Sequence, residues 1–321
     1  MINHGIPGFL QSNIYQSYSH RTIMHPTLRA YIDLTRIQFF FAWPLLFCSG
    51  YLLATRGGDT FSWFSLLKVA LIGFFGFEAG LVLNDYLDRN FDRRDIETDK
   101  LTKYWRVFGT RPIAQGFIPP RHALGLFLIL AIITALLVLT LPYPHSIFVL
   151  VIMLSCYAVE AFYQVKKRHE TFPIAQVVGR IDFALFPVAG YLAAGFPHII
   201  ALLYFLFFYP FALAHLGVND LVDYKNDLSR GLQTVTTLYG EQGTSIWILG
   251  FTIINAVTAV LFMTVLGTIA RAGLITGLIL LAVANAVILN KKTPEGALRA
   301  LPLFHLTMIV YAGSIILDSV W

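Results

Sequence analysis

Long apolar runs broken by short polar segments make up most of the chain. A membrane-crossing helix needs about 20 predominantly apolar residues. Nine segments reach that length, at roughly 32–54, 66–92, 122–141, 146–164, 173–194, 199–224, 244–267, 271–290 and 298–318. Pro142 and Pro144, Pro173, Pro197, Gly240 and Gly243, and Pro294 punctuate several of the ends. No linker or low-complexity tract divides these runs, so residues 31–321 read as one transmembrane domain. The polar segment 1–30 before it is expected to be cytoplasmic or interfacial. It has no continuous apolar stretch and no small-residue cleavage pattern, so no signal peptide is expected.

Composition agrees with an all-α integral membrane protein. Of the 321 residues 57% are hydrophobic and 13% charged, against about 25% charged in soluble domains, and mean hydropathy is +0.68. The net charge of +5 does not point to nucleic acid, because the cations sit in short segments between the runs. Arg93, Arg94, Lys100, Lys103, Arg106, Arg111 and Arg121 follow the second run. Lys166, Lys167 and Arg168 follow the fourth, Lys225 and Arg230 the sixth, and Lys291 and Lys292 the eighth. The other loops hold little beyond Arg56 and Arg271. The positive-inside rule then places the even loops and the N-terminus in the cytoplasm. Cys48 and Cys156 lie inside apolar runs and give no disulfide framework or metal spacing.

One pattern occurs twice. Asn84, Asp85, Asp88 and Asp92 close the second run, and Asn219, Asp220, Asp223 and Asp227 close the sixth, both as N-D-x-x-D-x-x-x-D. Residues four apart share a helix face. Asn84, Asp88 and Asp92 therefore form one stripe and Asn219, Asp223 and Asp227 another, with Asp85 and Asp220 about 100° round. Such stripes offer hard oxygen ligands suited to Mg²⁺ and a bridging diphosphate. Acids at a helix C-terminus oppose the helix dipole, and acids at membrane depth point to function.

A diphosphate also needs cations. Arg36 opens the first run, where taken alone snorkelling at the interface explains it better. Lys167 and Arg168, after Tyr163, also fit an ordinary topology cluster. Arg111 also fits an incidental place in a turn before Pro112. Arg180 and Asp182, within the fifth run, either pair to orient helices or line a site. His215 lies one turn before Asn219 and is a further candidate for the site lining, whereas Glu78, Glu160 and His305 read as structural.

Taken together, these residues resemble the UbiA superfamily of intramembrane prenyltransferases. The resemblance rests on the two acidic motifs, on Arg111-Pro112-Ile113-Ala114-Gln115-Gly116, on Tyr163 with Lys167 and Arg168, and on Arg36. It spans residue 30 to the C-terminus. It implies nine helices, metal-binding and catalytic roles for Asp88, Asp92, Asp223 and Asp227, and a diphosphate held by Arg36, Arg111, Lys167 and Arg168. It further implies Mg²⁺-dependent transfer from a prenyl diphosphate to an aromatic or lipid acceptor, on the cytoplasmic side of the cell membrane. Residues 93–108 lengthen the stretch between Asp92 and Arg111 beyond the family's usual spacing.

Two other classes use intramembrane acids. A transporter or ion pump would carry them near mid-span rather than at one end beside basic loops. A CDP-alcohol phosphotransferase needs an Asp-Gly dipeptide in its signature, and this chain has none.

Overall fold

A computed structural model describes residues 24–56 and 62–321. In chain order its helices are α1 Pro26–Leu34, α2 Ala42–Thr55, α3 Trp63–Asp92, α4 Leu101–Trp105, α5 Pro120–Leu139, α6 His145–Lys166, α7 Ile174–Gly179, α8 Ile181–Leu192, α9 Ile199–Val222, α10 Tyr224–Arg230, α11 Val235–Met263, α12 Thr268–Lys291 and α13 Pro294–Val320. No strand occurs among the described residues. Among the described residues, eight stretches are long and apolar enough to cross a membrane. The protein is a multi-pass integral membrane protein.

Local sequence accounts for many boundaries. Proline stands at the first turn of α1, α5 and α13, where a missing N–H costs nothing. Thr234 forms a reciprocal capping box with Thr237 at the start of α11. Gly240, at φ 70°, kinks the same helix where a side chain would be strained.

Two expected spans are not continuous. Within 32–54, Arg36 takes a left-handed conformation (φ 46°, ψ 46°), a short 3₁₀ turn covers Ile37–Phe39, and α2 starts only at Ala42. The run 173–194 is two short helices, α7 and α8, meeting at Arg180. Hydropathy is blind to both breaks, because local backbone chemistry makes them and the residues around them stay apolar.

The long helices close into a ring. Successive contacts run α2, α3, α5, α6, α8, α9, α11, α12 and α13, and α13 returns to α2. Across the ring α2 meets α8 and α9 meets α13. Gly50 and Gly190 permit the α2–α8 crossing. A Cβ on Gly50 would collide with the Pro187 carbonyl, and one on Gly190 with that of Phe47. The main core lies on the α9, α11, α12 and α13 side, around Tyr204, Phe207, Phe262, Phe304 and Tyr311. By contrast α5 and α6 expose Leu128, Ile132, Leu136, Val151 and Leu154, a face that only lipid would solvate favourably.

Candidate active site

The ends of α3, α6 and α9 gather at one end of the ring, and the two acidic motifs meet there. Motif one lies on an unbroken helix that continues to Asp92. Motif two does not. α9 stops at Val222, Asp223 adopts φ −92°, ψ 10°, and α10 begins at Tyr224. The single helical stripe expected for Asn219, Asp223 and Asp227 is therefore bent at its middle residue. Asp223 accepts from the Asn226 side chain at 2.8 Å, a bond that holds the bend.

Two arginines join the motifs. Arg111 lies 2.9 Å from Asp92, 2.6 Å from Asp95 and 3.8 Å from Asp223. Arg230 reaches Asp92 at 3.4 Å, Asp223 at 3.1 Å and Asp227 at 3.3 Å, and it also binds Asp95. Burial alone would lower the pKa of either guanidinium. The surrounding acids (Asp223, Asp92, Asp227 and Asp95 around Arg230) outweigh it and hold both above their ordinary value. The carboxyls feel the reverse. Burial, then the charge of Asp223, pushes Asp227 well above the usual carboxylate range, and burial raises Asp95 despite its two arginines.

The remaining expected cations divide. Lys167 is buried and binds Asp88 at 2.7 Å. Arg168 is more exposed, lies 3.8 Å from Asp88, and stacks over Phe91 at 4.2 Å. Arg36 turns away from the metal stripe to Asp85, at 2.9 Å. Asp85 is also gripped by Arg106, at 2.9 and 2.7 Å to its two oxygens. Burial lowers the pKa of Arg106 in this pair. Asp220 accepts the Val235 amide at 3.1 Å, which ties the second motif to the start of α11.

Several of these residues escape a sequence reading. Asp95 and Arg106 belong to the segment after α3, and Asn226 and Arg230 to the short helix α10 between two spans, stretches where charge is ordinarily solvated. The segment 93–119 folds over the site instead of hanging free. Asn226 receives the Ile96 and Glu97 amides and donates to the Glu97 carbonyl. Asp33 receives the Phe108 and Thr110 amides, each at 2.8 Å. Trp105 donates to Asn219 at 3.2 Å and packs on Phe39 and His305. The one available signal was density: Arg93 to Arg111 carries unusually many charges for a loop between two spans.

Beneath the acids lies a cavity of about 270 Å³, lined by residues from Asp92 down to Ile72 on α3. Those positions are about 30 Å apart along a helix axis. Its polar mouth holds Asp88, Asp92, Asp223, Asp227, Arg111, Lys167 and Arg230. Its far end is Phe47, Ile72, Val138 and Val149, with Trp43, Phe77 and Phe186 between. Trp43 stacks on Phe77 at 3.7 Å. Asn84 lines the cavity but its amide is taken by Glu160 at 2.8 Å. Glu160 and His305 are thus wall residues, not merely structural ones, while Glu78 lies outside the lining. His215 also lines the cavity and meets His305 at 3.0 Å. Tyr163 lines it beneath Lys167, whose ammonium is 4.7 Å from the ring. Arg180 and Asp182 both face the cavity, and among the described residues no ion pair within 4 Å joins them.

The donor set suits a hard divalent cation. Asp88 Oδ1 is buried with no hydrogen-bond partner. The oxygens of Asp92, Asp223 and Asp227 converge on guanidinium groups, at positions a divalent ion would contest. Among the described residues no three acidic, His or Cys side chains already converge at ligand spacing. Arg111 and Arg230 stand between them.

Paired acidic helix ends above a long apolar cavity in a helical membrane protein are the features of an intramembrane enzyme. The chain belongs to the UbiA prenyltransferase family, whose pattern matches residues 41–308, and it is a prenyltransferase. It is 29% identical over 257 residues to a 4-hydroxybenzoate octaprenyltransferase of Alkalilimnicola ehrlichii, covering 77% of this chain and 76% of that one. It is 32% identical over 222 residues to the enzyme of that name from Aeromonas hydrophila, covering 66% and 69%. Its fold matches a UbiA homologue from Aeropyrum pernix with TM-score 0.71 at 18% identity, over 88% of this chain and 98% of that one. It also matches a UbiA homologue from Archaeoglobus fulgidus bound to DMAPP and Mg²⁺, with TM-score 0.65 at 16% identity, over 89% and 99%.

Proposed function

We propose that this enzyme transfers a prenyl group from a prenyl diphosphate to an aromatic acceptor within the membrane, with Mg²⁺ held by Asp88 and Asp92 on one side and Asp223 and Asp227 on the other. The observation that carries this reading is the junction of the two motifs over a single apolar cavity. The 4-hydroxybenzoate relatives support the aromatic class. The A. fulgidus homologue with DMAPP and Mg²⁺ supports the donor and the ion on the same fold. The basic loops support a cytoplasmic mouth.

Magnesium, when bound, supplies charge neutralisation for the departing diphosphate. The chain's own cations do the rest of that work. Lys167, Arg111 and Arg230 are already buried at the mouth and preorganised by their carboxylates, so little reorganisation is needed to meet an anion. Arg36 and Arg106, fixed on Asp85, add positive potential behind them. As the allylic C–O bond breaks, its electron pair leaves with the diphosphate, and the prenyl carbon carries cationic character. Ring faces in the wall, Tyr157, Phe77 and Trp43, stabilise that charge and exclude water. The acceptor ring carbon forms the new C–C bond, and its proton leaves to restore aromaticity.

The test is purified protein with a labelled prenyl diphosphate and either 4-hydroxybenzoate or a glycerol-phosphate lipid as acceptor. Label should enter the aromatic ring only with Mg²⁺ present. Label entering the lipid and not the ring would overturn the acceptor class.

A further inference from the structure

Among the described residues, Arg180 is the cavity-wall arginine that lies within ion-pair distance of no carboxylate. Arg36, Arg106, Arg111, Lys167 and Arg230 line the same cavity, and each lies within ion-pair distance of a carboxylate. Among the described residues, the Arg180 side chain makes no ion pair within 4 Å and no hydrogen bond. It faces the Tyr163 ring, whose centroid is 5.8 Å from the guanidinium carbon, and its Nε is buried without an acceptor. A desolvated guanidinium without a hydrogen-bonded partner is costly, and a cation within a membrane bundle marks function by default.

Its position says what would complete it. Arg180 stands at the α7–α8 break, so its side chain projects from the wall where the helix is interrupted. Lys167 shares the Tyr163 ring with it, its ammonium lying 4.7 Å from the centroid. The unfilled anion position is thus beside the diphosphate mouth, in the same cavity, where the second substrate must approach the allylic carbon. Asp182 and Glu160 line that wall as well. Those two carboxylates penalise a doubly charged phosphate more than a singly charged carboxylate. A planar carboxylate matches the arginine fork. The Asp182 carboxylate, bonded only by the Phe183 amide, remains able to accept from a hydroxyl.

We propose that Arg180 binds the carboxylate of an aromatic acid acceptor and selects a singly charged ring over a neutral or phosphorylated one. This rests on the prenyl-transfer reading above. The test uses the full chain in detergent, as wild type, Arg180→Gln and Arg180→Lys, with 4-hydroxybenzoate and its methyl ester as paired probes. Arg180→Gln should raise KM for the acid about ten- to hundredfold, the range of a lost charged hydrogen bond. KM for the ester and for prenyl diphosphate should not move, and Arg180→Lys should fall between. Unchanged KM for the acid in Arg180→Gln, beside normal wild-type transfer, overturns the role of Arg180 and leaves prenyl transfer standing. Should the wild type transfer to neither ring, the aromatic-acceptor reading fails, and equilibrium binding decides Arg180 separately. Acid binding lost in Arg180→Gln supports the anion site, and equal binding overturns it. Wild-type protein binding the ester as tightly as the acid overturns it without recourse to any variant.

Discussion

Arg230 holds four carboxylates and offers the sharpest test of how the two motifs are kept together. Its side chain is 5% exposed and lies against Asp92, Asp95, Asp223 and Asp227. Replacement by Gln keeps part of the volume and removes the charge. Breaking a buried ion pair from one side costs about 3–5 kcal/mol, because the partner stays buried and unpaired. Here the acids left behind also repel one another, with only Arg111 remaining between the motifs, so the upper half of that range applies. At about 2 °C per kcal/mol for a chain of this size, Tm should fall by about 8–10 °C. That loss should be seen in excess EDTA. In saturating Mg²⁺ it should shrink, because a divalent cation neutralises the same oxygens and stabilises the folded state by mass action. The assay is thermal unfolding of purified Arg230→Gln and wild type in one detergent, each with EDTA and with Mg²⁺. An equal Tm loss in both conditions would refute the idea that the guanidinium and the metal compete for one set of ligands.

Other outcomes follow from the same contacts. Asp88→Asn and Asp223→Asn should each lose nearly all turnover while keeping their far-UV circular dichroism, and full turnover in either sinks the two-motif site. Lys167→Gln should raise KM for prenyl diphosphate more than Arg168→Gln, since Lys167 sits 2.7 Å from Asp88 and Arg168 3.8 Å; steady-state kinetics giving the reverse order would place the diphosphate elsewhere. Asp85→Asn should destabilise the protein more than the double variant Asp85→Asn with Arg106→Gln, which strands one fewer buried charge; simple additivity of the Tm changes would contradict this. Single cysteines at Lys166 and Pro197, in a background without Cys48 and Cys156, should label from opposite faces of the membrane.

Periodic features were legible in the sequence and irregular ones were not. The apolar runs map closely onto α3, α5, α6, α9, α12 and α13, because burial in lipid is written residue by residue. The motif spacing gave the acids, and their partners Lys167 and Arg111 were recoverable from nearby basic signatures. Arg230 was not, because its role depends on the bend at Asp223 turning α10 back toward α3, and no local pattern announces that turn. Arg106 was hidden for a similar reason. Its value comes from loop 93–119 folding down under the hold of Asp33 and Asn226, contacts of long sequence separation. Glu160 read as structural because a single acid on an apolar helix carries no spacing, yet it occupies the Asn84 amide. The breaks at Arg36 and Arg180 went unseen because hydropathy measures composition and not backbone conformation.

Both acidic motifs are proposed to act together to hold metal and diphosphate. Equilibrium binding of a non-hydrolysable prenyl thiodiphosphate, measured with Mg²⁺ and with EDTA, tests it most directly on wild type, Asp88→Asn and Asp223→Asn. Tight binding should require Mg²⁺ and should weaken strongly in both variants. Binding that persists in EDTA, or that survives loss of one motif, would contradict a site shared between α3 and the α9–α10 bend.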